Sequence, residues 1–78
     1  MAHLRLFGPA AEAAGTRHDT VDEPTVGAAL QAATTRYGQA FAAIAAASQV
    51  WVNGEQAIPS TPLGDGDELA VLPPVSGG

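Results

Sequence analysis

Residues 3–7 alternate, with Leu4 and Leu6 on one side of the chain and His3, Arg5 and Phe7 on the other. That period of two predicts a strand, which Gly8 and Pro9 stop. Residues 10–14 form a short helical turn that Gly15 ends as a C′ residue. A second strand is expected over residues 17–21, and so short a connection makes the two strands an antiparallel pair. Thr25, with Asp22 and Glu23 just upstream, is an N-cap candidate. Val26, Ala29, Leu30, Ala33 and Tyr37 then recur at helical spacing and make one apolar stripe. Gly27 lies inside that helix at a cost of about 1 kcal/mol relative to alanine, which packing must offset. Gly38 is the expected stop. Residues 41–47 are an alanine-rich helical turn or short helix.

A strand is expected over residues 49–52. Asn53-Gly54 is the strongest hairpin signal in the chain, because a type I′ turn needs positive φ at both central positions. Residues 55–58 would be the short return strand. Residues 59–67 are rich in Pro, Gly, Ser and Asp and predict a loop. Residues 68–72 form the last strand, and Pro73-Pro74 ends it. The fold class is therefore α+β. The order of elements points to a β-grasp (ubiquitin-like) fold, a mixed sheet of about five strands packed on one main helix. The expected organisation is one domain over residues 1–73 and a flexible tail over residues 74–78.

Much of the 46% hydrophobic fraction is alanine, so the large apolar side chains suffice for one small two-layer core. A chain of 78 residues buries only about 60% of its unfolded surface, which leaves no material for a large catalytic cleft. Function by docking to something bigger is the expectation. Three Lys+Arg against eight Asp+Glu give a net charge of −5, and all three cations are arginines. Nucleic-acid binding is excluded, since it needs several cations to displace phosphate counterions. An acidic surface favours a basic protein partner. The absence of cysteine removes disulfides, thiolate metal sites and thiol catalysis. No basic-then-apolar leader and no run of ~18 apolar residues is present, so the expected location is cytoplasmic, with no membrane contact.

Conventional catalytic groups are sparse. His3 and His18 each stand alone in sequence and read as structural. Asp65-Gly66-Asp67-Glu68 has the Asp-x-Asp spacing calcium favours, but the distal ligands of a binding loop are missing. It reads as a tight acidic turn, and no metal site is expected. Strand parity carries more. With Leu4, Leu6, Val50, Val52, Leu69 and Val71 facing the helix, Phe7, Trp51 and Leu72 face outward beside Arg5. Either this is a contact surface or loops fold back over it. The tail is the other candidate. As a frayed end Gly77-Gly78 would mean nothing. As a bare diglycine on a Pro73-Pro74 stalk, it presents a carboxylate with no Cβ nearby, able to thread a narrow channel. In a chain with no thiol and no nucleophile-elbow motif, that carboxylate is the candidate reactive group.

The ending Leu63-Gly64-Asp65-Gly66-Asp67-Glu68-Leu69-Ala70-Val71-Leu72-Pro73-Pro74-Val75-Ser76-Gly77-Gly78 closely resembles the small subunits of molybdopterin synthase. Leu6-Phe7, Ala13-Ala14-Gly15, Thr25-Val26 with Leu30, and Val52-Asn53-Gly54-Glu55 extend the resemblance along the whole chain. Residues 39–48 match no reliable pattern. Thiamine-pathway carriers share the fold and the diglycine but usually lack the double proline.

The resemblance implies a ubiquitin-like sulfur carrier that is not an enzyme on its own. An ATP-dependent adenylating enzyme of the ubiquitin-activating type, using ATP and Mg²⁺, would form an acyl-adenylate at Gly78. A sulfur donor protein would convert it to a thiocarboxylate. The tail of Pro74, Val75, Ser76 and Gly77 would enter the molybdopterin synthase large subunit, where the sulfur attacks cyclic pyranopterin monophosphate. No cofactor would be held by this chain. Phe7 and Leu72 match interface positions of the family, Arg5 adjoins them, and Trp51 departs from the family in bulk. The alternatives are a carrier for thiamine or cysteine synthesis, a ubiquitin-like protein modifier, and an interaction domain with an inert tail.

Overall fold

The computed structural model describes residues 1–74. Strand β1 (Ala2–Leu6) leads into helix α1 (Pro9–Ala14) and strand β2 (His18–Val21). Helices α2 (Val26–Tyr37) and α3 (Gln39–Ala47) follow, then β3 (Gln49–Val52), β4 (Glu55–Gln56) and β5 (Glu68–Leu72). The five strands form one mixed sheet in the order β2-β1-β5-β3-β4. Only β1 and β5 run parallel, with Leu4 opposite Leu69 and Leu6 opposite Val71. The neighbouring pairs are antiparallel.

Parity places the core as expected. Ala2, Leu4, Leu6, Leu69 and Val71 are buried from the sheet, and Val26, Ala29 and Ala33 from α2. The Thr25 side chain caps α2 by accepting from the Ala28 N–H at 3.2 Å. The unfavourable Gly27 also has its explanation. Its N–H donates to the Pro59 carbonyl at 2.9 Å, and a Cβ there would sit 3.1 Å from that oxygen. Glycine is what lets the residue 58–62 segment lie against the helix.

Three expectations shift. Of the two forms expected for residues 41–47, helix α3 takes the short helix, but it begins earlier, at Gln39, directly after Gly38, whose φ of 98° breaks the helical path between α2 and α3. It brings the fully buried Phe41 into the core, edge-on to Tyr37 at 5.2 Å between ring centroids. The sheet is thus covered by three helices, with α3 in contact with both α1 and α2. The return strand stops at Gln56 rather than reaching Ile58. A local turn claims the Ile58 backbone: its N–H goes to Thr61 Oγ1 at 3.0 Å and its carbonyl accepts from the Thr61 N–H at 2.9 Å. The second strand begins at His18, leaving Arg17 outside it. Among the described residues no helix is long and apolar enough to cross a membrane. Of the expected tail, Pro74 is described; Val75, Ser76, Gly77 and Gly78 lie outside the described residues.

Candidate functional site: the outer sheet face and the root of the tail

The face of the sheet opposite the helices carries the residues that parity placed there. Arg5 pairs across β1–β5 with Ala70, and Ala70 pairs across β5–β3 with Trp51, so these three form one row. In the next row Leu72 lies opposite Gln49. Phe7 follows Leu6, whose partner Val71 precedes Leu72. Phe7 and Leu72 remain 39% and 36% exposed, so among the described residues no loop folds over them. Trp51 is half-buried. Together with Ala47, Gln49, Pro73 and Pro74, Trp51 and Leu72 line an open groove of about 540 Å³. The groove therefore runs from the sheet face to the start of the tail.

Arg5 holds its place through two contacts. Its guanidinium carbon lies 5.6 Å from the Phe7 ring centroid, and Nη1 is 3.7 Å from a Glu68 carboxylate oxygen. A cation over an aromatic face is attracted by the ring quadrupole. Arg5 thereby borders the apolar patch without leaving solvent.

The acidic turn anchors the start of β5. Asp67 accepts from the Gly64 N–H at 2.8 Å and from Asn53 Nδ2 at 3.0 Å. These two hydrogen bonds, the backbone one foremost, hold its carboxyl below the usual carboxylate range. The hairpin turn supplies the partner: Asn53 has φ of 51° and Gly54 of 84°. The turn residues thus fasten the start of β5, and β5, the central strand, in turn delivers Leu72, Pro73 and Pro74 to one end of the sheet. Among the described residues no group of three His, Asp or Glu is placed to hold a metal ion.

One feature escaped the sequence. His18 is the register partner of Arg5, and Arg17 precedes it. A cleft of about 280 Å³ is lined by Arg5, Leu6, Phe7, Gly8, Arg17 and His18. The strand pairing of residue 5 with residue 18 was the signal that could have found it.

Residues 4–78 match the ThiS family. No curated protein sequence matches the chain. Among solved structures, the chain is similar to SAMP1 from Haloferax volcanii, with 35% identity, 99% of this chain and 98% of that one covered, and a TM-score of 0.77. The small archaeal modifier protein SAMP1 from Methanosarcina acetivorans shares 28% identity over 99% of this chain and 95% of that one, at a TM-score of 0.86. A complex of subunits 1 and 2 of the molybdopterin-converting factor from Helicobacter pylori matches with 24% identity, 99% and 97% coverage, and a TM-score of 0.70, a likeness of fold.

Proposed function

The chain belongs to the ThiS family, and on that premise we propose that it is the sulfur carrier subunit of a molybdopterin synthase, with its cargo at Gly78. A carboxylate is a poor electrophile, so its oxygen must first be made into a leaving group. Adenylation does this: the Gly78 carboxylate attacks the ATP α-phosphorus and pyrophosphate departs. The acyl-adenylate then takes sulfur at the sulfide level from a donor protein, and AMP leaves. The product thiocarboxylate is the better nucleophile. Because the chain has no cysteine, sulfur has no thiol to ride on and is carried at the chain end. ATP, Mg²⁺ and the acid–base groups belong to the activating enzyme and the large subunit.

The observation that carries this reading is the exposure of Phe7 and Leu72 at the root of the Pro73-Pro74 stalk. An apolar patch there lets a larger partner grip the domain while the following residues reach a site inside it. The structural neighbour in which a subunit 1 of molybdopterin-converting factor is complexed with subunit 2 supports a large-subunit partner. Removal of Gly78 is expected to abolish sulfur transfer to cyclic pyranopterin monophosphate and leave the far-UV CD spectrum unchanged. Retained transfer would overturn the mechanism.

A second reading is favoured by the 35% identity to the Haloferax volcanii modifier protein. In it the same activated Gly78 is passed to a lysine amine of a target protein. The chain itself has no lysine, so it would modify singly and not build lysine-linked chains on itself. Adducts of higher mass on other proteins distinguish this outcome. The enzyme that co-purifies separates molybdopterin synthesis from the thiamine and cysteine pathways.

A further inference from the structure

We propose that the cleft lined by Arg5, Arg17 and His18 receives an acidic side chain of the protein that docks on the Phe7–Leu72 patch, a step that rests on the docking reading above. The chain has a net charge of −5 and only three arginines. One of them, Arg36, is committed elsewhere: its Nη1 is 2.6 Å from Asp19 Oδ2 and 3.1 Å from the Thr20 carbonyl. The other two converge on one cleft with a histidine, and among the described residues no carboxylate lines it. Arg17 and His18 are exposed, and Arg17 forms no ion pair among the described residues. Arg5 meets Glu68 only loosely, at 3.7 Å. A guanidinium presents five N–H donors in a planar fork, so both arginines keep donors to offer.

The location matters as much as the charge. Phe7 lines the cleft and also stands in the apolar patch, so a partner seated on Phe7 and Leu72 necessarily faces the cleft. Most of the acidic surface favours basic groups opposite it. At this corner two arginines and a histidine gather, with Glu12 beside Arg17 in the adjoining hollow, and a carboxylate seated in the cleft would fix orientation as well as add attraction. Charge patterns of this kind set register and association rate more than raw affinity. The occupant is therefore an Asp or Glu side chain on the partner.

Two measurements decide it. In the first, the isotope-labelled full chain is titrated with a glutamate tetrapeptide and followed by amide NMR. Saturable shifts are expected at Phe7, Gly8, Arg17 and His18, lost in Arg17→Glu and at high salt. Absence of saturable shifts, or the same shifts in Arg17→Glu, would overturn the proposal. Saturation by inorganic phosphate at equal or lower concentration would assign a free-anion site and overturn it too. This titration needs no partner, so it stands even where the carrier reading fails. In the second, Arg17→Glu is expected to weaken binding to the adenylating enzyme or the large subunit by about tenfold at low salt, mostly through a slower association rate. The neutral Arg17→Gln should lose less. Wild-type affinity in Arg17→Glu, with a native CD spectrum, contradicts the assignment; failure of the wild-type chain to bind either partner counts against the carrier reading.

Discussion

Phe7 and Leu72 leave the sheet side by side, because the residues before them, Leu6 and Val71, are partners in the parallel β1–β5 pair. Leu6 and Val71 are buried, while Phe7 and Leu72 are the exposed apolar residues at that end of the sheet. One register contact therefore fixes both halves of the proposed docking patch, and Leu72 directly precedes Pro73. Leu72→Asp is expected to weaken partner binding by tenfold or more, the usual loss for an anchor at the centre of an interface. Phe7→Asp should act in the same direction. Both positions are exposed, so far-UV CD should stay native. Unchanged affinity in Leu72→Asp would remove the patch from the mechanism.

Asn53 fastens the tail-bearing strand through both its backbone and its side chain. Its N–H donates to the Glu68 carbonyl at 2.9 Å, its Oδ1 accepts from the Glu68 N–H at 2.9 Å, and its Nδ2 reaches Asp67. Its φ of 51° is one that Asn tolerates better than most residues. Asn53→Ala loses the side-chain bonds and adds backbone strain, and should cost about 1–3 kcal/mol in urea unfolding. Asn53→Gly relieves the strain and should cost less. Equal losses in the two variants would show that conformation contributes nothing at this position.

Acid should loosen the β2–α2 contact. Asp19 accepts hydrogen bonds from the Tyr37 hydroxyl, the Thr20 N–H and Arg36, and these hold its carboxyl below the usual carboxylate range, with Tyr37 the largest cause. A carboxyl whose folded pKa is depressed contributes stability above its unfolded value, and that contribution is lost as pH falls through the folded value. Wild type should therefore melt higher than Asp19→Asn at neutral pH, and the gap should close on acidification below the ordinary Asp range. A gap independent of pH would mean that Asp19 acts by shape alone. On the alkaline side, burial foremost and then Asp19 raise the Tyr37 hydroxyl above its usual value, so stability there should fall as pH rises through Tyr37 ionisation.

Gly27 sets two effects of similar size against each other. Alanine in a helix interior gains about 1 kcal/mol over glycine. A Cβ at residue 27 would lie 3.1 Å from the Pro59 carbonyl oxygen and 3.2 Å from its Cβ, closer than relaxed contact. Moving that segment would also disturb the Gly27 N–H bond to Pro59 at 2.9 Å. Gly27→Ala should therefore leave stability unchanged or lower it. A gain of the full helix-propensity amount would show that the loop yields freely.

Most of this fold was legible because two periodicities speak plainly. Leu4 and Leu6 against Arg5 and Phe7, and Leu69 and Val71 against Ala70 and Leu72, assign the inner and outer faces by alternation alone. Thr25 and Gly38 bracket α2, and Asn53-Gly54 marks the hairpin, through local backbone chemistry that needs no tertiary context. Helix α3 was less legible. Its alanines give little contrast between faces, so Phe41 shows its burial only when α2 and the sheet are in place. The outer apolar patch followed from parity alone. The Arg5–His18 neighbourhood did not, since it depends on which residue of β2 lies opposite Arg5, and weakly apolar edge strands specify register poorly. Gly77 and Gly78 are legible only in the sequence, since they lie outside the described residues.

The proposed reactive group of the molecule is the Gly78 carboxyl. Native mass spectrometry on the chain purified from its own host, with the C-terminus untagged, tests it most directly. The account predicts one oxygen replaced by sulfur at Gly78, in a complex with a larger subunit that identifies the pathway. Incubation with the adenylating enzyme, ATP and the sulfur donor should restore the thiocarboxylate to any chain that has hydrolysed. A carboxylate that persists through that incubation would contradict the account, and covalent adducts on other proteins in its place would assign the chain as a modifier.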